Sequence, residues 1–152
     1  MDRELGKKLA DEFVFMRVER TYGADDFIDN LFYAFGCECG DGWYQLIHDL
    51  CSEIQSIINK YGGDSMVYVQ QVKEKYAGLR FYFASKGGEE FHAEVSDVIN
   101  KYEELSYETC EVCGAKGEVR GGGWLQCRCD NCEAENQWRR KDWLMRHQTE
   151  SK

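Results

Sequence analysis

Four cysteines constrain this chain more than any other feature. Cys110-Glu111-Val112-Cys113 and Cys129-Asp130-Asn131-Cys132 are separated by fifteen residues, a C-x2-C-x15-C-x2-C pattern. Zinc takes four soft or borderline donors in a tetrahedron, and a two-residue gap lets one tight turn offer two sulfurs to one ion. Gly114 follows the second cysteine, where a turn that aims N–H groups at sulfur needs positive φ. Cys127 competes with Cys129, but the two-residue gap favours Cys129. Four sulfurs leave no position for water, so the ion is expected to be one structural Zn2+. The chain has eight cysteines. It starts Met1-Asp2-Arg3-Glu4-Leu5, charged and unlike a secretory signal, so we expect a cytoplasmic protein with reduced thiols, where metal binding or redox chemistry precedes disulfides.

Around this pattern the chain reads as an α+β protein: helices packed on a small antiparallel β-hairpin sheet, followed by a four-cysteine zinc-finger module. Leu5, Leu9, Phe13 and Met16 make a helical stripe over residues 3–20, although Phe13-Val14-Phe15-Met16 is also apolar enough for a strand. A shorter helix over 24–34 enters through Ala24-Asp25-Asp26 and carries Phe27, Ile28, Leu31 and Phe32. The clearest helix runs from about Gly42 to Lys60, with Asp41 as N-cap, Gly62-Gly63 as stop, and Trp43, Ile47, Leu50, Ile54, Ile57, Ile58 and Tyr61 on one face. Met66 to Lys75 and Leu79 to Ala84 form a hairpin about an Ala77-Gly78 turn. Residues 88–107 set Phe91, Val95, Val98, Ile99, Tyr102 and Leu105 at helical spacing. No internal repeat stands out. At 152 residues the chain has room for one modest core and a small appendage, read as an acidic body over 1–108 and a metal module over 109–152. No apolar run reaches the ~18 residues of a membrane span.

In the module, Glu118-Val119-Arg120, Gly121-Gly122-Gly123 and Trp124-Leu125-Gln126 read as strand, turn and strand, and a helix from about Asp130 to His147 begins at the second cysteine pair. Knuckle, hairpin and ligand-bearing helix together resemble a treble-clef zinc finger. A second metal site from Cys37, Cys39, His48 and Cys51 is an open alternative, although Cys-x-Cys is a poor match to one structural zinc and His48 points away from the core face. His92-Ala93-Glu94 ahead of Cys110 resembles the zinc deaminases only superficially, because the proline before the cysteine pair is absent and the cysteines have better partners. Neither His48 nor His147 has a nearby serine or cysteine arrangement that would suggest a nucleophile and base, and neither glycine run has phosphate-loop spacing.

Charge bears on partners. Residues 1–109 hold 11 Lys/Arg against 21 Asp/Glu, net −10, whereas residues 110–152 hold 8 against 7, net +1. Such a body repels phosphate backbones, so nucleic acid is approachable only through the C-terminal quarter, and protein partners are favoured. There Arg139, Arg140, Trp143 and Arg146 cluster on one helix, suited to stacking on bases or gripping an acidic protein surface; packing of Trp143 on the body is the plainer alternative. Lys73, Lys75 and Arg80 rim the hairpin turn and read as a charged sheet end. The aromatic content leaves room for a homodimer.

Cys39-Gly40-Asp41-Gly42-Trp43, Val72-Lys73-Glu74-Lys75-Tyr76 with Gly78-Leu79-Arg80-Phe81-Tyr82, Thr109-Cys110-Glu111-Val112-Cys113-Gly114 and Gly122-Gly123-Trp124 resemble a group of small phage and prophage proteins with a C-terminal metal-binding finger. The resemblance spans about residues 36–132. It implies zinc, with Cys132 where histidine is common in the group, and the cytoplasm of a bacterial host. By analogy it implies a non-enzymatic accessory protein that inhibits a host protein such as a CRISPR-type defence nuclease, zinc-finger nucleic-acid binding being the alternative.

Overall fold

A computed structural model describes residues 1–17, 31–63 and 65–148. Among them the chain is α+β, with five α-helices, a three-stranded mixed sheet and a two-stranded ribbon.

Helix α1 spans Arg3–Glu12 and is capped by Asp2, whose carboxylate accepts from Glu4 N at 2.8 Å. It does not run on to residue 20: Phe13 is extended, and a 3-10 turn covers Val14–Met16. The apolar stripe survives the break, because Leu9, Phe13 and Met16 are all buried. Residues 18–30, with most of the expected second helix, lie outside the described residues. Helix α2 spans Leu31–Phe35 and buries Phe32 but not Leu31.

Strand β1, Cys37–Glu38, leads into a 3-10 turn at Asp41–Trp43 and then helix α3, Tyr44–Tyr61. Asp41 does not cap this helix; its carboxylate accepts from Asp2 N at 2.6 Å. The expected face is buried from Trp43 through Ile57, and Leu46 and Cys51 join it. Gly62, at φ +60, ends the helix.

Strands β2 (Met66–Lys75) and β3 (Gly78–Lys86) pair antiparallel, and β1 adds in parallel beside β2 with Cys37 opposite Val72. The sheet is therefore mixed and not a lone hairpin. Its turn is Tyr76-Ala77, one residue earlier than expected, with both residues at positive φ (+55 and +67). Ala77 N donates to Glu74 Oε1 at 2.7 Å and holds that conformation. Gly78 lies in the strand instead, where a Cβ would stand 2.5 Å from the Tyr107 ring.

Helix α4, Glu89–Ser106, buries Phe91, Val95, Ile99 and Tyr102, but Leu105 is exposed and Ser106 takes the inner place in the last turn. Ser106 Oγ accepts from Leu79 N at 2.8 Å, and Glu103 Oε1 accepts from Phe81 N at 2.9 Å, so α4 satisfies two outward amides of β3. The core lies where α3 packs on α4 and α4 on β3.

The α3–α4 pair corrects the expectation of no repeat. Glu53-Ile54-Gln55-Ser56-Ile57-Ile58-Asn59-Lys60-Tyr61 and Glu94-Val95-Ser96-Asp97-Val98-Ile99-Asn100-Lys101-Tyr102 share Glu, Ile, Asn, Lys and Tyr at the same places. The copies run antiparallel and clasp each other. Lys60 Nζ and Tyr61 OH reach Glu94 Oε1 at 2.6 and 2.9 Å, and Lys101 Nζ and Tyr102 OH reach Glu53 Oε1 at 2.6 and 2.7 Å. These donors hold both carboxyls below their ordinary range.

Candidate metal centre

Cys110 lies in the tight turn that follows α4. Gly114 N donates to Cys110 O at 2.8 Å, Cys110 N donates to Ala115 O at 2.8 Å, and Gly114 has the expected positive φ of +76. Strands β4 (Glu118–Arg120) and β5 (Gln126–Arg128) make the ribbon. Its second strand starts two residues later than expected, leaving Trp124 in the loop. Helix α5, Asp130–Gln148, follows at once. Cys129 stands just before it and Cys132 in its first turn, where Cys132 N lies 3.5 Å from Cys129 Sγ and Glu133 N donates to Cys129 O at 3.0 Å. Arg120 ties ribbon to helix through Arg128 O at 3.0 Å and the Asp130 carboxylate.

The four sulfurs of Cys110, Cys113, Cys129 and Cys132 all lie within 4.8 Å of one another. A Zn–S bond of about 2.3 Å in a tetrahedron places sulfurs about 3.8 Å apart, and Cys113 Sγ and Cys129 Sγ stand 3.6 Å apart. The cluster can hold one metal ion, and its all-sulfur donor set suits zinc. Burial opposes ionisation of Cys110, yet the backbone N–H groups of Cys129, Cys113 and Val112 outweigh it and bring that thiol down to about 7. Burial and the neighbouring thiols push Cys132 up. A divalent cation binding these sulfurs would displace any thiol protons that remain.

Among the described residues no other such cluster forms. Cys37, Cys39 and Cys51 are buried in the core, where burial drives the Cys37 thiol up to about 12. His48 Nε2 instead meets Glu12 Oε2 at 3.0 Å, so the alternative second site is not assembled. Cys127 is buried and donates to Tyr107 O at 3.2 Å, apart from the four ligands. His92 stacks on Phe83 and sits 2.7 Å from Ser85 Oγ, away from the sulfurs.

On α5, Arg139 pairs with Glu135, Arg146 pairs with Asp142, and Trp143 stacks on His147 at 4.3 Å between ring centroids. Trp143 does not pack on the body; it is 58% exposed, and Trp138 is 64% exposed.

Sequence reasoning missed the residues that dock the cluster on the body. Gly42 N donates to Glu111 O at 2.9 Å, Gly40 N donates to Glu111 Oε1 at 2.8 Å, and Trp43 Nε1 donates to Thr109 O at 2.8 Å. A Cβ on Gly42 would lie 2.4 Å from Cys110 O and 2.5 Å from Cys113 N. The signal was present as two glycines flanking Asp41 before a tryptophan, a poor way to start a helix unless another backbone presses on it. Comparison of the chain with protein-family models, with curated proteins and with solved structures gives no match.

Proposed function

We propose that this is a zinc-stabilised, non-catalytic binding protein that engages a protein partner through α5. The observation that carries this reading is the state of that helix. No residue of its described side chains is buried, yet it presents Trp138, Trp143, Leu144 and Met145 to solvent. Exposed aromatics and methionine in such density mark interaction surfaces more often than idle ones. Acidic and basic residues balance from Asp130 to His147, four of each, and two of the arginines are already paired on the helix. A neutral helix of this kind has little hold on phosphate, which weighs against nucleic acid as the ligand of Arg139, Arg140, Trp143 and Arg146.

The order of knuckle, ribbon and ligand-bearing helix supports a treble-clef reading of the module. Four sulfurs fill a tetrahedron, which supports a structural ion and a role without catalysis. On the phage resemblance, the partner is a host protein and binding inhibits it. The test is affinity capture with the native chain and with Trp138→Ala/Trp143→Ala/Met145→Ala. One stoichiometric protein, captured by the native chain and lost from the variant at unchanged metal content and melting, is the expected result. Capture that survives in the variant, or nucleic acid as the sole captured species, overturns it.

A further inference from the structure

The end of the β2–β3 hairpin, set aside in sequence as a charged sheet end, forms one wall of a cleft with the ribbon loop of the metal module. Glu74, Lys75 and Tyr76 face Gly122, Gly123, Trp124 and Leu125 across about 560 Å³. Tyr76 is 70% exposed and Trp124 is 74% exposed, a large apolar area to leave in water. Both are held in place by unusual backbone. Tyr76 takes φ +55, a conformation that side chains of its size rarely adopt, and a Cβ on Gly121 would stand 2.2 Å from Trp124 O, so only glycine lets that loop fold back.

The charge beside the cleft departs from that of the rest of the chain. Lys75 Nζ lies 5.5 Å from the Tyr76 ring centre and Lys73 Nζ 5.6 Å from that of Tyr82. Neither lysine has a carboxylate within ion-pair distance among the described residues, although the chain carries a net charge of −9. The Glu74 carboxylate is engaged by Ala77 N. Lys73 and Lys75 are two residues apart on one strand, about 6.6 Å at ~3.3 Å per residue, and their side chains share a face. The surface therefore repeats a unit of one ring and one ammonium, with Trp124 as a third ring opposite.

We propose that this surface binds single-stranded nucleic acid, one base entering the cleft between Tyr76 and Trp124, a base two nucleotides further on lying on Tyr82, which pairs with Gln71 four residues from the strand end, and the two intervening phosphates meeting Lys75 and Lys73. Ring faces accept any base, so recognition is by stacking and is tolerant of sequence. The phosphates would thus meet the hairpin of the body, a local exception to the expectation from net charge that only the C-terminal quarter admits nucleic acid; the acidic body repels the remainder of the strand and confines contact to a few nucleotides. This site is separate from α5, and its failure would leave the protein-partner reading untouched.

The test is fluorescence anisotropy of a labelled single-stranded 12-mer titrated with the full zinc-loaded chain at low salt. Binding is expected, with log affinity falling against log salt at a slope of about −1.4 for two phosphate contacts. Trp124→Ala should weaken it at least about fivefold, and Lys73→Glu/Lys75→Glu should abolish it. Tyr76→Asn removes the ring but tolerates the left-handed backbone, so it should weaken binding with the turn intact. Arg139→Ala/Arg140→Ala/Arg146→Ala should bind as the native chain does. No anisotropy change with the native chain overturns the proposal. So does loss of binding in the α5 variant alone, or equal competition by a mononucleotide, which would make the ligand a free nucleotide.

Discussion

The body and the metal module are held together by different means, and the contrast shows what each part of the sequence is for. The body buries Trp43, Phe91, Leu9, Ile47, Leu50 and Ile54 completely, within a core drawn from four helices and continued by the sheet. From Cys110 to His147, by contrast, Cys110, Glu111 and Cys127 are the sole buried residues. Hydrophobic burial at roughly 25 cal/mol per Å² can fold the first. The second has almost nothing to bury, and in place of a core it has four clustered sulfurs that could hold a metal ion.

The largest effect expected from breaking this contrast is therefore at a ligand. A structural zinc contributes about 10–16 kcal/mol in small fingers, so Cys113→Ala should unfold at least the final forty or so residues. Circular dichroism and metal analysis would register lost helix and lost zinc together, and a variant that melts like the native chain would contradict the assignment. Because Gly40, Gly42 and Trp43 lean on the knuckle, melting of the body should fall as well.

That coupling is sharpened by Gly42→Ala. Its Cβ meets knuckle backbone, which cannot step aside as a side chain would, so the cost should reach or exceed the roughly 1–3 kcal/mol of ordinary overpacking. Denaturant unfolding and zinc affinity should drop in concert. An unfolding midpoint that drops at unchanged zinc affinity would show two independent parts.

The smallest effect belongs to the body alone. Glu53 and Glu94 are held below their ordinary range by Lys101 with Tyr102 and by Lys60 with Tyr61. A depressed carboxyl contributes stability that is complete above its unfolded value and lost as pH falls through the folded one. Glu53→Gln/Glu94→Gln should melt slightly lower at neutral pH and lose less on acidification, while zinc content stays constant. An unaltered pH profile of melting would show that the clasp contributes nothing, as exposed ion pairs sometimes do.

How much of this was readable beforehand follows the same division. The α3 and α4 faces were legible because apolar residues recur at helical spacing, and the four-cysteine cluster because sulfur pairs at a two-residue gap have few other uses. Local pattern was silent where long-range contact decided. Phe13 belongs to the apolar stripe, but the helix stops at Glu12. Gly78 looked like a turn glycine, yet the approach of Tyr107 requires it in the strand while Tyr76 and Ala77 take the turn. Leu105 fits the stripe, but Ser106 is the residue drawn inward by an amide of β3. The nine-residue repeat was hidden because its shared apolar positions are those any buried helix would carry, and its meaning lies in the side chains that cross between copies.

The bonds from Ser106 and Glu103 to Leu79 and Phe81 also govern how the protein behaves when crowded with its own kind. A free row of amides along an outer strand invites a neighbouring chain to dock there and extend the ladder, the first step towards fibres. Here two of the donors along that rim are already spent on α4. Self-templated growth from that side would first have to pry the end of a helix away.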